Sequence, residues 1–157
     1  MDELSPADLS PELTRPFRGL RLWLPLLHYG VAPFRAALEE KLLLARYFHA
    51  RAAALGFWMG PVPDLSVVIY RWVPDAMQCG AVAYDREAVN RINARIVEEV
   101  RRDGRVYISS TMINGDHTLR LACVAHRTHL ETIDLLLAVL ATAARVAERA
   151  VLAEVTA

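Results

Sequence analysis

The sequence predicts an α+β domain built on a small antiparallel sheet with helices on one face. From Pro33 onward, helix-period and strand-like segments follow one another in the order α-β-β-α-β-β-α. An Asn114-Gly115 pair stands between two β-prone runs, a tight-hairpin signal. With 157 residues, 54% of them hydrophobic, the chain suffices for one core and is too apolar to be a disordered tail.

Ser5-Pro6 and Ser10-Pro11 each pair an N-cap residue with Pro at a first helical position, so the opening thirteen residues read as an extended arm with a short helical turn. Phe17 to Gly30 predicts a short helix kinked near Pro25, with Gly30 past its end. Pro33 opens a helix running to about Leu55, whose apolar stripe is Phe34, Leu38, Leu42, Ala45 and Phe48. Phe57–Met59 and Ser66–Val73 read as strands, and residues 75–83 as a loop. Tyr84–Asp103 carries Ala88, Ile92, Ile96 and Val100 at helical spacing and ends at Gly104. Arg105–Ser110 and His117–Ala125 are the hairpin strands, and Glu131 to about Glu154 is the closing helix. Two parts are expected: an arm and interface helix over 1–30, and a small domain over 31–157.

Composition excludes several functions. Eighteen basic residues balance eighteen acidic ones, without the basic excess of a nucleic-acid binder. Cys79 and Cys123 are too few for a disulfide framework and too isolated for zinc. The stretch Leu20–Phe34 is broken by Arg21, Pro25 and His28, and the uncharged run Leu135–Ala144 has only ten residues, so neither spans a membrane. The acidic start has no signal-peptide core, and the chain reads as cytoplasmic. Zero net charge favours association, so the apolar excess predicts a surface that a partner buries. Seventeen of the basic residues are Arg. Lys41 is the only side chain able to form an imine.

The residue chemistry is otherwise modest. His126 and His129 stand three apart, but they straddle a strand-to-helix junction with no acidic or Cys partner at ligand spacing, so no metal site is expected. Thr128 reads instead as an N-cap, with Glu131 completing a capping box. Ser109-Ser110-Thr111 offers turn-flanking hydroxyls rather than an oxyanion site. Cys123 reads as an inert buried thiol, Asp64, Asp75, Asp85 and Asp116 as turn or cap residues, and Glu98-Glu99 as solvated. Arg18 and Arg120 interrupt apolar runs, which predicts structural partners for both. No nucleophile-base pair and no phosphate loop is present, so no catalytic residue is assigned.

The run Arg15-Pro16-Phe17-Arg18-Gly19-Leu20-Arg21-Leu22-Trp23, followed by Tyr29-Gly30-Val31, resembles a signature of the group II pyridoxal-phosphate-dependent amino acid decarboxylases, the aromatic-amino-acid, histidine and tyrosine decarboxylases. Arg91-Ile92-Asn93, Gly104–Thr111, Leu119–Ala122 and Arg127-Thr128 resemble the family's C-terminal pattern in order and spacing. The resemblance implies the C-terminal small domain of a fold-type I pyridoxal-phosphate enzyme, preceded by an interface arm and helix. It implies a cofactor bound mainly by a large domain, whose Schiff-base Lys follows a His and precedes the segment seen here. Lys41, among Glu39, Glu40 and Leu42, has no such context. The expected role is therefore the small-domain chain of a decarboxylase for an aromatic or related L-amino acid. It would act in a hetero-oligomer with a large-domain chain that carries the cofactor lysine. The alternative is a non-catalytic interaction or regulatory domain that keeps the same fold. By the resemblance, Leu13 and Thr14 line the substrate end of the site, reaching across an interface. One methyl or hydroxyl at such a position shifts preference by roughly 1–3 kcal/mol.

Overall fold

The computed structural model describes residues 16–155. The chain divides into two compact units, Met1–Ala36 and Ala37–Ala157. In the first, helix α1 (Leu20–Tyr29) begins three residues later than its sequence suggests and keeps Pro25 inside. Gly30 closes it, its N–H donating to Leu26 O at 3.0 Å. No residue of α1 is buried, although Leu22, Trp23, Leu24 and Leu27 are all large and apolar.

Helix α2 (Ala32–Ala54) carries the chain into the second unit, where it is followed by β1 (Trp58–Met59) and β2 (Val67–Arg71). A four-residue helix, α3 (Asp75–Gln78), stands where a loop is expected. Then come α4 (Arg86–Asp103), the hairpin strands β3 (Ser109–Ile113) and β4 (Asp116–Ala122), and α5 (Leu130–Val155). The four strands form one sheet in the order β1-β2-β4-β3, every pair antiparallel. Among the described residues no helix is long and apolar enough to cross a membrane.

The hairpin turn behaves as its residues dictate. Asn114 and Gly115 both take positive φ, 52° and 83°, the conformation a two-residue turn of this hand requires. Ile113 then pairs with Asp116 and Ser109 with Arg120, so β3 begins four residues beyond the start its apolar pattern suggests. The turn, not the pattern, sets the register. β4 ends at Ala122, three residues before the expected end, and the Cys123 N–H adds one more bond in the same register, to Ser66 O at 2.8 Å.

Pairing also divides the sheet into two faces. Val68 lies opposite Leu121 and Tyr70 opposite Leu119, and all four are buried with Ile92 and Ile96 of α4 and Leu136 and Leu140 of α5. Phe48 of α2 meets the Tyr70 ring edge-on with centroids 5.0 Å apart, and Phe57 continues the stack against Trp72 at 4.9 Å. Each such side chain stabilises the fold by roughly 1.5–3 kcal/mol through burial. The stripe expected on α2 is rotated. Lys41, Leu44, Ala45, Phe48 and Ala52 are buried, whereas Leu38 is 68% exposed. The buried face follows what lies opposite, here the Tyr70 ring and a row of carbonyls, rather than apolarity alone.

Helix α4 begins at Arg86, two residues after the expected Tyr84, and ends at its predicted stop. The Asp85 carboxylate accepts from the N–H groups of Glu87 and Ala88 at 2.9 and 3.1 Å, and Gly104 closes the other end at φ 76°. The helix also completes the sheet. Beyond Tyr70 and Leu119 strands β2 and β4 no longer pair, and two Asn side chains take over their backbone groups. Asn93 accepts from Trp72 N–H and donates to Trp72 O, both at 2.8 Å, while Asn90 accepts from His117 N–H at 2.7 Å.

Candidate functional site

Lys41 is the first residue whose placement differs from its sequence setting. α2 turns it inward, and its side chain is 7% exposed. Its ammonium donates to Thr128 O, to His126 O at 3.3 Å and to the Glu40 carboxylate at 2.8 Å. Those three acceptors use all three ammonium donors, which is what makes a buried charge tolerable. The second Glu40 oxygen accepts from His129 Nδ1 at 2.7 Å. The bonds from His129 and Lys41, His129 first, hold the Glu40 carboxyl below its usual range.

Lys41 therefore fastens the junction between β4 and α5 to α2. Imine formation needs an uncharged amine open to an aldehyde. Lys41 does not fit that role, and the described residues offer no covalent seat for pyridoxal phosphate. The His129 ring is engaged by Glu40, whereas His126 gives the network only its backbone carbonyl, and the described residues hold no group of three or more His, Cys, Asp or Glu able to bind a metal. Thr128 is not the N-cap of α5. Thr132 and Ile133 donate to His129 O at 3.0 and 3.3 Å, one residue later, and the Thr128 carbonyl is taken by Lys41.

A second polar cluster lies where the sheet meets α4. The buried Arg71 guanidinium contacts the Asp116 carboxylate at 3.0 Å, Asn90 Oδ1 at 3.1 Å and the Tyr84 hydroxyl at 3.4 Å. Arg86 approaches the same carboxylate at 3.5 Å and donates to Asn114 O at 3.1 Å. Burial and the Arg71 charge lower the pKa of His117. Sequence reasoning takes Asp116 for a turn residue and misses this cluster. The available signal is a charge inside the apolar run Val67–Val73, the same signal that singles out Arg120.

Arg120 has a neutral partner: it donates to Ser109 Oγ at 2.9 Å, which also occupies the first of the three hydroxyls considered for an anion. Arg18 has no ion pair among the described residues. Cys123 is buried, and burial raises its thiol pKa, so the inert reading holds. Glu99 is not simply solvated, since it accepts from Arg95 at 3.1 Å and Arg102 at 2.7 Å.

The sheet face turned away from the core carries Val67, Ile69, Arg120, Ala122, Ser109 and Thr111, as the cross-strand register requires. Val67 on it is 44% exposed, and Val62, Leu65 and Val124 beside its strands are more exposed still. Leu13 and Thr14, expected at the substrate end, lie outside the described residues.

The chain matches no protein-family model. It is 28% identical over 130 residues to an aromatic-L-amino-acid decarboxylase of Bacillus atrophaeus, a match spanning 82% of this chain and 26% of that protein. It is 34% identical over 111 residues to tyrosine decarboxylase 4 of Petroselinum crispum, spanning 70% of this chain and 21% of that one. The chain thus spans about a quarter of the length of these relatives. In fold it is similar to the crystal structure of Oryza sativa TDC with PLP and tryptamine. The TM-score is 0.76 at 21% identity, over 92% of this chain and 29% of that one.

Proposed function

For a chain that matches the C-terminal part of the group II pyridoxal-phosphate-dependent amino acid decarboxylases in sequence and fold, we propose the role of small domain in a decarboxylase of an aromatic or related L-amino acid. In this reading it works with a large-domain chain that carries the Schiff-base lysine and holds the cofactor. The observation that carries the reading is the match itself, which runs through 82% of the chain and relates it to an aromatic-L-amino-acid decarboxylase.

Two features support the division of labour. The only lysine is spent on a structural junction, so the amine that binds the cofactor belongs to the large domain. The exposed apolar sheet face and α1 are surfaces that association would cover, and covering them would exclude water from a neighbouring site. When bound, pyridoxal phosphate supplies the electron sink. The residues of this chain shape the site: Leu13 and Thr14 set the width and polarity at the substrate side chain, and the small domain closes over it.

The test is reconstitution. The full chain is mixed with a large-domain polypeptide that contains the His-Lys pair. Complex formation, the visible absorbance of lysine-bound pyridoxal phosphate and carbon dioxide release are then followed with aromatic L-amino acids. All three should appear together, and Thr14→Gly should change the preference among substrates by about tenfold or more. A stable complex with cofactor absorbance but no carbon dioxide from any L-amino acid would transfer the assignment to a non-catalytic regulatory domain.

A further inference from the structure

The edge of the sheet formed by β3 is open, and the decarboxylase reading leaves it unused. Ile113 lies opposite Asp116, Thr111 opposite Thr118 and Ser109 opposite Arg120, and the two-residue turn makes Ile113–Asp116 a hydrogen-bonded pair. Pairs along an antiparallel ladder alternate, so Thr111 and Ser109 also bond inward to β4. The N–H and C=O groups of Ser110 and Met112 then point away from it. β4 keeps the same phase: its His117 N–H, opposite Met112, goes to Asn90 instead of β3. Among the described residues no hydrogen bond reaches the main chain of Ser110 or Met112.

An edge strand usually carries a device against pairing with another chain, such as a charge, a Pro or a bulge. Residues 109–113, Ser-Ser-Thr-Met-Ile, hold no charge and no Pro, and their register with β4 runs without a bulge. Met112 and Ile113, which point to opposite faces of the sheet, are 57% and 37% exposed, so the fold closes neither side of this edge. The opposite edge is different. β1 has two residues and is followed at once by Gly60-Pro61. Among the described residues the sheet can therefore grow at β3 alone.

We propose that β3 pairs antiparallel with β3 of a second copy of this chain, about a two-fold axis at Thr111. The strand matches itself in that register. Ser110 faces Met112 of the second copy and Met112 faces its Ser110, and each pair exchanges both main-chain bonds, so every outward group gains a partner. Thr111 faces its own copy with Cα atoms about 4.5 Å apart. With Thr118 beside each, the outer face gains an unbroken row of threonines across the contact. The adjacent rows run from Arg120 through Ser109 to Ile113 and Asp116 of the second copy, so symmetry sets unlike charges in line rather than like ones. Zero net charge leaves no long-range repulsion between copies. Because both copies use the same edge, the assembly closes at two.

Sedimentation of the full chain at concentrations up to about 0.3 mM should show a monomer–dimer equilibrium with no larger species. Thr111→Lys sets two ammonium groups face to face on the axis and should weaken the dimer at least about tenfold, while Thr111→Val should keep it. Circular dichroism and melting temperature verify the fold of both variants. Register is read by cross-linking in a Cys79→Ser background, since Cys79 is the exposed cysteine and Cys123 is buried. On mild oxidation Thr111→Cys should form a disulfide between copies, and Ser110→Cys, which faces Met112 and not itself, should not. A chain that stays monomeric throughout, or equal cross-linking by both cysteine variants, would overturn the proposal. So would a dimer that Thr111→Lys leaves intact and Trp23→Glu dissolves, which would assign the contact to α1. All these readings are taken without cofactor or substrate, so they stand apart from the decarboxylase assignment.

Discussion

Tyr70 shows how differently a ring and its hydroxyl are treated by one environment. The ring is fully buried between Phe48 and Phe57, and the hydroxyl has no hydrogen-bond partner among the described residues. Burial accordingly raises its pKa far above the ordinary phenol value. A buried hydroxyl without a partner costs about 1–3 kcal/mol, so Tyr70→Phe should leave the melting temperature unchanged or raise it. Tyr70→Ala should lose roughly 3–5 kcal/mol in the same denaturation experiment. A clear loss in the Phe variant would mean that the hydroxyl is bonded after all. At this scale the sequence is legible for what a residue buries and opaque for what it bonds. Tyr70 stands in a β-branched and aromatic run that reads as a strand, which it is. Arg71, next to it, takes its carboxylate from Asp116 across the sheet, and two of the three acceptors of Lys41 are backbone carbonyls beyond β4. Partners so distant in the chain leave no local spacing to read.

Among the elements, those with covalent or capping signals are the ones best predicted. The Asp85 cap, the Gly104 stop and the Asn114-Gly115 turn act over two to four residues and are found where the sequence puts them. The start of β3 and the buried face of α2 depend on partners elsewhere in the fold, and there the apolar pattern misleads. α4 is more than a covering helix, because Asn90 and Asn93, about one turn apart, receive backbone groups of two strands that have separated. Asn93→Ala should leave both polar groups of Trp72 buried without a partner and cost about 2–4 kcal/mol. Urea denaturation of the variant tests this. A loss below about 0.5 kcal/mol would show that the Asn bonds are incidental.

For the whole molecule, acid stability follows from the two pKa shifts with the clearest geometry. His117 has a folded pKa lowered from 6.5 by burial and then by Arg71, so the fold favours its neutral form. Its contribution is fully present above about 6.5 and declines as the pH falls from there toward the lower folded value. Glu40 is lowered from 4.5, first by His129 and then by Lys41, so its contribution persists to lower pH and is lost as the pH falls through its folded value. The melting temperature should therefore decline in two stages between about pH 7 and 3, and Glu40→Gln should shrink the second stage. A single late decline would contradict the His117 assignment. The junction that Lys41 holds has a further use. A chain whose one lysine stands on the buried face of α2 presents no side-chain amine to acylating reagents while folded. Mass-resolved acylation of that site then acts as a clock, its rate reporting how often α2 lifts from the start of α5, and comparing that rate with and without a large-domain partner would measure how far assembly stiffens the domain.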